Sequence, residues 1–237
     1  MPFQTACASM IGKTHRQLLY NNQDAYFLFQ NEEILVAVVC DGCGSAHHSE
    51  VGAQLSAQFV GNYCKKHFSQ QPFHLEQLQT ALEKYWLQLL NNQEEKEEFV
   101  HSYLLTTIIG IVIQEENTYV FTAGDGIFAI NENWWVLNQQ NRPEYLAMNL
   151  IDDAKRAFSS YQYRTETIEQ FLIATDGLNY LQDEHRELLL ENGTVAKVKN
   201  ILEEDRLFRH PVELPKYFAL LNDTILYDDT TVVMGKR

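Results

Sequence analysis

Positive charge is scarce in this chain: 18 Lys and Arg stand against 32 Asp and Glu, for a net charge of −14. Binding nucleic acid through its phosphates needs basic surface, so the composition argues against that class. It leaves room for a single phosphate handled in a cleft that also holds metal ions. Long apolar runs are missing too, and no stretch reaches the roughly 18 residues of a membrane span. Residues 1–20 lack a charged region followed by an apolar core, so no secretory signal is expected and the protein is read as cytoplasmic. Cysteine is limited to Cys7, Cys40, Cys43 and Cys64. In a cytosolic chain these are free thiols rather than a disulfide framework. Cys40 and Cys43 form a C-x-x-C, but no second such pair and no H-x-x-x-H completes a zinc site. The pair encloses Asp41-Gly42 at a strand end instead of opening a helix, so chance spacing is the preferred reading and a redox-sensitive pair the alternative.

What is present is an ordinary globular core, with 45% hydrophobic residues and neither repeat nor long linker. Residues 25–30 and 33–40 read as strands joined by a turn at Asn31-Glu32. A helix fits 50–68, with Ser49 as N-cap and Val51, Leu55, Phe59, Val60, Tyr63 and Cys64 on one face. A second fits 73–90, with Leu75, Leu78, Leu82, Tyr85, Trp86 and Leu89 on its face. Residues 94–98 read as a solvated helix end or loop. Strands are expected at 103–113, 118–123, 127–130 and 134–137. Residues 138–164 are polar and irregular, with a short helix near 152–158. A strand at 164–175, helices near 181–190, 194–202 and 211–222, and a strand at 230–235 complete the order. Runs of adjacent strands followed by helices do not fit a doubly wound parallel sheet. They point to an α+β fold with antiparallel sheets and helices packed outside.

Four acidic segments punctuate that order: Cys40-Asp41-Gly42, Gly124-Asp125-Gly126, Thr175-Asp176-Gly177 and Asp228-Asp229-Thr230. Apolar runs lead into Asp41 and Asp176, and another follows Asp228. Carboxylates at such places project where strands open into loops. Any one Asp-Gly is an ordinary turn. Several carboxylates gathered together repel unless a cation holds them, and hard oxygen ligands favour Mg²⁺ or Mn²⁺. Asp41 and Asp228 are far apart in sequence, so a shared site must be assembled by tertiary structure. A single domain over 1–237 is therefore expected.

The segments Asn22-Gln23-Asp24-Ala25, Val38-Val39-Cys40-Asp41-Gly42-Cys43-Gly44-Ser45, Thr106-Thr107, Gly124-Asp125-Gly126, Ala174-Thr175-Asp176-Gly177-Leu178 and Asp228-Asp229-Thr230-Thr231-Val232-Val233 resemble, in order, the metal-dependent type-2C serine/threonine protein phosphatases. Gly12-x-x-His15 ahead of Gln23-Asp24 is similar to a bacterial branch of that family. The resemblance implies two packed antiparallel sheets flanked by helix pairs, a four-layer sandwich. It implies two Mn²⁺ or Mg²⁺ ions bridged by a water or hydroxide that attacks phosphorus directly. Carried over by position, Asp41 bridges both ions and Gly42 offers its carbonyl. Asp176 and Asp228 hold the first ion, Asp24 lies in the outer shell, and Asp125 helps hold a third, weaker ion. The implied partners are a phosphorylated protein substrate and a cognate Ser/Thr kinase.

Three positions differ from the family pattern. Gln23 stands where a Glu is frequent, which lowers the charge offered to the second metal. Arg16, with His15 beside it, is the candidate to grip the phosphate, at an unusual spacing; a surface role is the alternative for both. Cys43 stands where animal members carry a His that protonates the leaving group, a task water can perform. His47 and His48 are assigned no role. The leading expectation is hydrolysis of phosphoserine and phosphothreonine in proteins. The alternatives are a weak or inactive member used as a binding or regulatory module, and a phosphohydrolase for small molecules. Residues 138–164 are expected to form a substrate-facing flap.

Overall fold

In the computed structural model, residues 3–140, 143–181, 187–189, 195–197, 201–221 and 226–237 are described. Two five-stranded antiparallel sheets face each other. One has the order β2 (Asp24–Gln30), β3 (Leu35–Asp41), β4 (Ile108–Ile113), β5 (Asn117–Ala123) and β8 (Ser159–Arg164). The other has the order β1 (Gln4–Met10), β12 (Thr230–Lys236), β9 (Gln170–Ala174), β6 (Gly126–Ile130) and β7 (Asn133–Leu137). The central strands are apolar on both faces because both faces are covered. Leu35, Ala37 and Val39 of β3 point into the core between the sheets with Ile109, Ile111, Phe128, Phe171 and Ile173. Val36, Val38 and Cys40 point the other way, toward the helices.

On that outer face lie α2 (Ser49–His67) and α3 (Leu75–Leu90). The face of α3 is the expected one, burying Leu78, Leu82, Trp86 and Leu90. The face of α2 is the expected one only in part, through Val60 and Cys64. It buries Gly52, Ala53, Ser56, Ala57, Val60, Gly61 and Cys64, while Val51 is exposed. The helix sits so close to the sheet that a side chain on Gly61 would meet the Phe27 ring at 2.1 Å. Small residues, not the largest ones, therefore mark the contact. The residue before the helix is His48, and Ser49 instead donates its hydroxyl to the carbonyl of Cys43 at 3.0 Å.

The outer face of the second sheet is covered, among the described residues, by α5 (Glu213–Leu221) and 3₁₀ turns, through Leu214, Phe218, Leu202 and Leu207. This gives the expected four layers. Much of the expected helices at 181–190 and 194–202 lies outside the described residues. Within them, β10 (Glu187–Leu189) and β11 (Val195–Lys197) pair as short strands, so those stretches are extended, not helical. Backbone pairing overrides helix propensity there.

Other departures have local causes. Residues 103–107 are not strand: α4 (Lys96–Phe99) runs into a π-helical turn, Val100–Leu104, where Tyr103 stacks on Phe99 at 4.8 Å. The short helix near 152–158 is absent. A 3₁₀ turn forms earlier, at Leu146–Leu150, while Asp152 caps its own loop by accepting from the Ala154 N–H and the Arg156 guanidinium. β1, β8 and the six-residue α1 (Lys13–Leu18) went unanticipated. No helix among the described residues is long and apolar enough to cross a membrane.

Candidate metal centre

The carboxylates converge at one end of the sandwich because of strand register. Asp24 opens β2 and Asp41 closes β3, and the two are direct cross-strand partners. β9 and β12 are also paired, Ala174 opposite Val232, so Asp176 and Asp228 leave the second sheet at a common end. Asp125 sits in the turn that carries the chain from β5 in one sheet to β6 in the other. Its flanking Gly124 and Gly126 have φ of +89° and +133°, values that strain any residue with a Cβ.

Neutral groups hold this end in place. The backbone carbonyl of Asp41 accepts from the Thr107 N–H and the Thr106 hydroxyl, both at 2.8 Å. Its N–H donates to the Thr107 hydroxyl at 3.2 Å. This is the physical content of the Thr106-Thr107 pair. Gly42 is buried, and its N–H donates to the Gln23 carbonyl at 3.1 Å. Thr175 donates its hydroxyl to Asp24 Oδ2 at 2.7 Å and accepts from the Thr231 N–H at 2.9 Å, tying one sheet to the other.

The charges of these groups act on one another. Burial holds Asp41 well above the usual carboxylate range, and the charges of Asp24, Asp176, Asp228 and Asp125 push the same way. Burial also raises Asp24, the Thr175 hydrogen bond opposes it, and the charge of Asp229 adds to the rise. Asp125 is pushed up to about 6 by burial and then by Asp176. Asp228 is raised by burial and by Asp176, with the Asp229 N–H and His15 pulling it back. Two buried oxygens, Asp24 Oδ1 and Gln23 Oε1, have no hydrogen-bond partner among the described residues. Crowded carboxylates with open acceptor positions fit a hard divalent cation and its water shell.

Asp229 had no assigned role, and it organises the N-terminal side. It is buried, accepts from the Gly12 N–H at 2.7 Å and the Gln23 N–H at 2.6 Å, and pairs with His15 Nδ1 at 2.8 Å. His15, Asp228 and Asp229 bring ligand-type atoms within 4.8 Å of one another. The oxygens of Asp229 are committed to three hydrogen bonds, so the trio is a clamp with exposed Asp228 as its open member. Arg16 follows His15 on α1 and is half-buried. The signal available in the sequence was the Asp228-Asp229 doublet itself.

Tyr145 was also missed. Its hydroxyl is hydrogen-bonded to Cys43, and its pKa is raised by burial, by Cys43 and by the charges of Asp41 and Asp125. Tyr145 therefore brings one part of the expected flap toward Asp41. The stretch from Leu146 to Arg156 is fastened to α3 by Gln79, which donates to the Arg156 carbonyl at 2.9 Å, and by Glu83, which accepts from Asn149 Nδ2 at 3.0 Å. Burial pushes the Cys43 thiol up, but hydrogen bonds with Ser45, Tyr145 and the N–H groups of Ser45 and Ala46 outweigh it and bring the thiol below its usual value. Cys40 is fully buried against the helix layer, and both thiols are free.

The chain belongs to the protein phosphatase 2C family, whose model matches residues 11–213. Among solved structures, a bacterial serine phosphatase is 18% identical with a TM-score of 0.61, over 99% of this chain and 98% of its own. The serine/threonine phosphatase Stp1 from Staphylococcus aureus is 17% identical with a TM-score of 0.58, over 100% and 96%. RsbX in complex with magnesium is 15% identical with a TM-score of 0.53, over 98% and 94%. No curated protein sequence matches.

Proposed function

We propose that the chain hydrolyses phosphomonoesters of serine and threonine in proteins and depends on divalent metal. One observation carries this reading: carboxylates from both sheets raise one another's pKa at one end of the sandwich. Asp41 would lie between two ions, with the Gly42 carbonyl beside it and Asp176 and Asp228 on the first ion. Asp24 would act through water and Asp125 would help hold a weaker third ion. The all-oxygen donor set favours Mn²⁺ or Mg²⁺. Such ions, when bound, acidify water and offset charge on the phosphoryl oxygens.

The chain's own residues supply position. Thr106 and Thr107 fix the Asp41 backbone, and Asp229 holds His15 in one orientation. His15 and Arg16 are the groups we assign to the phosphate oxygens. Cys43 occupies the leaving-group side, where solvent water would return the proton. Both sheets contribute to the centre, which supports one domain over 1–237. The free cysteines fit a reducing cytoplasm, where a Ser/Thr kinase would supply the substrate.

The test is turnover of an aryl phosphate and of a phosphoserine peptide with Mn²⁺. Asp41→Asn and Asp228→Asn should each reduce it to background with the fold intact by circular dichroism. Unchanged turnover in both variants would sink the metal assignment. A parent protein that binds no Mn²⁺ in calorimetry would favour a binding module.

A further inference from the structure

β2 is the edge of its sheet, and among the described residues no strand pairs with its outer side. In an antiparallel pair, residues bonded to the neighbouring strand alternate with residues turned away from it. The Gly42 N–H donates to the Gln23 carbonyl at 3.1 Å, and the Asn31 N–H to the Ile34 carbonyl at 3.0 Å. With the register between them unbroken, these bonds mark the odd-numbered residues of β2 as the ones that face β3. Asp24, Tyr26 and Leu28 therefore turn their main-chain groups outward. The Asp24 N–H is met by Asn22 Oδ1 at 3.0 Å. The main-chain groups of Tyr26 and Leu28 have no partner among the described residues.

Open edges invite pairing with other chains, and folded proteins blunt them with lysine, proline or a bulge. β2 contains no lysine or proline, and its register runs without a bulge from Asp24 to Gln30. A guard stands at the far end, where Lys65 of α2 lies over the Phe29 ring at 4.0 Å. The stretch left bare, residues 24–28, borders a groove of about 510 Å³. Gln54 and Gln58 of α2 flank it from the helix layer, and Ser9 of β1 flanks it from the other sheet.

The chemistry of the groove names its occupant. Main-chain donors and acceptors recur at every second residue, about 7 Å apart, with amide and hydroxyl side chains beside them. An extended main chain offers acceptors and donors at that same repeat. No Lys or Arg lines the groove among the described residues, so it is not a second phosphate site. It opens at Asp24, the cross-strand partner of Asp41, so a chain lying in it leads into the carboxylate centre. We propose that an extended segment of the phosphoprotein substrate, on one side of its phosphorylated residue, adds to the sheet along Tyr26 and Leu28. Recognition then runs through main chain, with little dependence on the neighbouring side chains. The proposal rests on the phosphatase reading.

An N-methyl scan tests it. Phosphoserine peptides carry one N-methyl group at successive positions on either side of the phosphoserine, with an aryl phosphate as control, all in Mn²⁺. Each methyl group removes one N–H and alters no side chain. On one side, kcat/KM should fall about fivefold at every second position, the scale of one hydrogen bond, and hold in between. Tyr26→Pro removes an outward N–H where an edge strand tolerates proline. Gln58→Trp fills the groove from the surface of α2 and stays informative if the proline variant does not fold. Either should flatten the alternation and lower peptide kcat/KM relative to the aryl phosphate. An equal effect or none at every position, or an alternation that survives Gln58→Trp, overturns the proposal. A parent dimer that Gln58→Trp dissociates in sedimentation would make a second copy the occupant and overturn the substrate assignment. Aryl phosphate turnover without peptide turnover overturns the proposal alone, and no turnover of either overturns the phosphatase reading with it.

Discussion

Without metal, the carboxylate centre should make this protein less stable as pH rises from 5 to 7.5. Asp125 sets the floor on the magnitude. Burial, and then Asp176, raise it from 3.8 to about 6. Between those values the folded protein keeps a proton that the unfolded chain has released. The folded state binds more protons, so stability falls with pH, and the penalty is complete above about 6. From pH 5 upward about one unit remains to be crossed, roughly 1.4 kcal/mol. The Asp125 turn borders solvent, and screening roughly halves that to about 0.7 kcal/mol. For a chain of this size each kcal/mol is about 2–4 °C, so Asp125 alone lowers Tm by roughly 2 °C. Asp24, Asp41 and Asp228 are raised as well and act in the same direction.

Mn²⁺ should reverse the slope, because it needs the carboxylates ionised. At a concentration 100 times its Kd, one ion adds about 2.7 kcal/mol. Thermal and urea melts at pH 5, 6 and 7.5, in EDTA and in Mn²⁺, separate the two regimes. Asp125→Asn isolates one share: in EDTA at pH 7.5 it should melt higher than the parent, and at pH 5 the gap should narrow. The exposed pairs of Asp152 and Asp205 have lowered pKa values and titrate below this window. Stability in EDTA that is flat or rising from pH 5 to 7.5, with no effect of Asp125→Asn, would refute the crowding.

Two further substitutions probe the clamp. Asp229→Ala strips partners from the Gly12 and Gln23 N–H groups and from His15. It should cost about 3 kcal/mol in urea unfolding and also reduce Mn²⁺-dependent turnover, since His15 loses its hold. Gly177→Ala would bring a Cβ within 2.0 Å of the Asp229 backbone carbonyl oxygen. Backbone cannot yield as a side-chain tip can, so a loss of about 3 kcal/mol is expected, read as a lower urea midpoint with a shifted Asp228-Asp229 segment.

The carboxylates were legible because they mark the ends of strands apolar on both faces. β3, β4, β9 and β12 carry that signal in their residues, and their pairing brings the ends together without further information. The elements that escaped are those whose stability is not local. β1, with Ala6 and Ala8 as its buried residues, shows small side chains where a strand signal needs large ones. β8 alternates Tyr161 and Tyr163 with polar residues, a pattern buried on one face only. α1 is fixed by hydrogen bonds to residues more than 200 positions away. Asp229 stood in plain view within a doublet, yet its three contacts reach back across 206 to 217 residues. No periodicity reports such contacts. Part of the α2 face was misread for a related reason: close approach selects glycine and alanine, which carry no strong hydrophobic signal at the sequence level.

The way the centre is held bears on catalysis against mere binding. A protein that needed only its shape would neutralise such a cluster from within, by amides or by paired basic groups. The strongest influences on Asp24 and Asp41 include no lysine or arginine. Thr106, Thr107 and Thr175 hold this end through hydroxyl and backbone groups, which fix position without removing charge. Rigid placement with charge left uncompensated costs stability in the metal-free protein, a cost that a bound cation would offset. Preorganised negative charge is what a cation site for phosphoryl chemistry requires. A scaffold gains nothing from it, since Asp41→Asn would keep the same turn and remove the repulsion. In EDTA at pH 7.5 that variant should be more stable than the parent; the same stability would mean that Asp41 carries no excess charge to be met, and the argument for an external cation would fail.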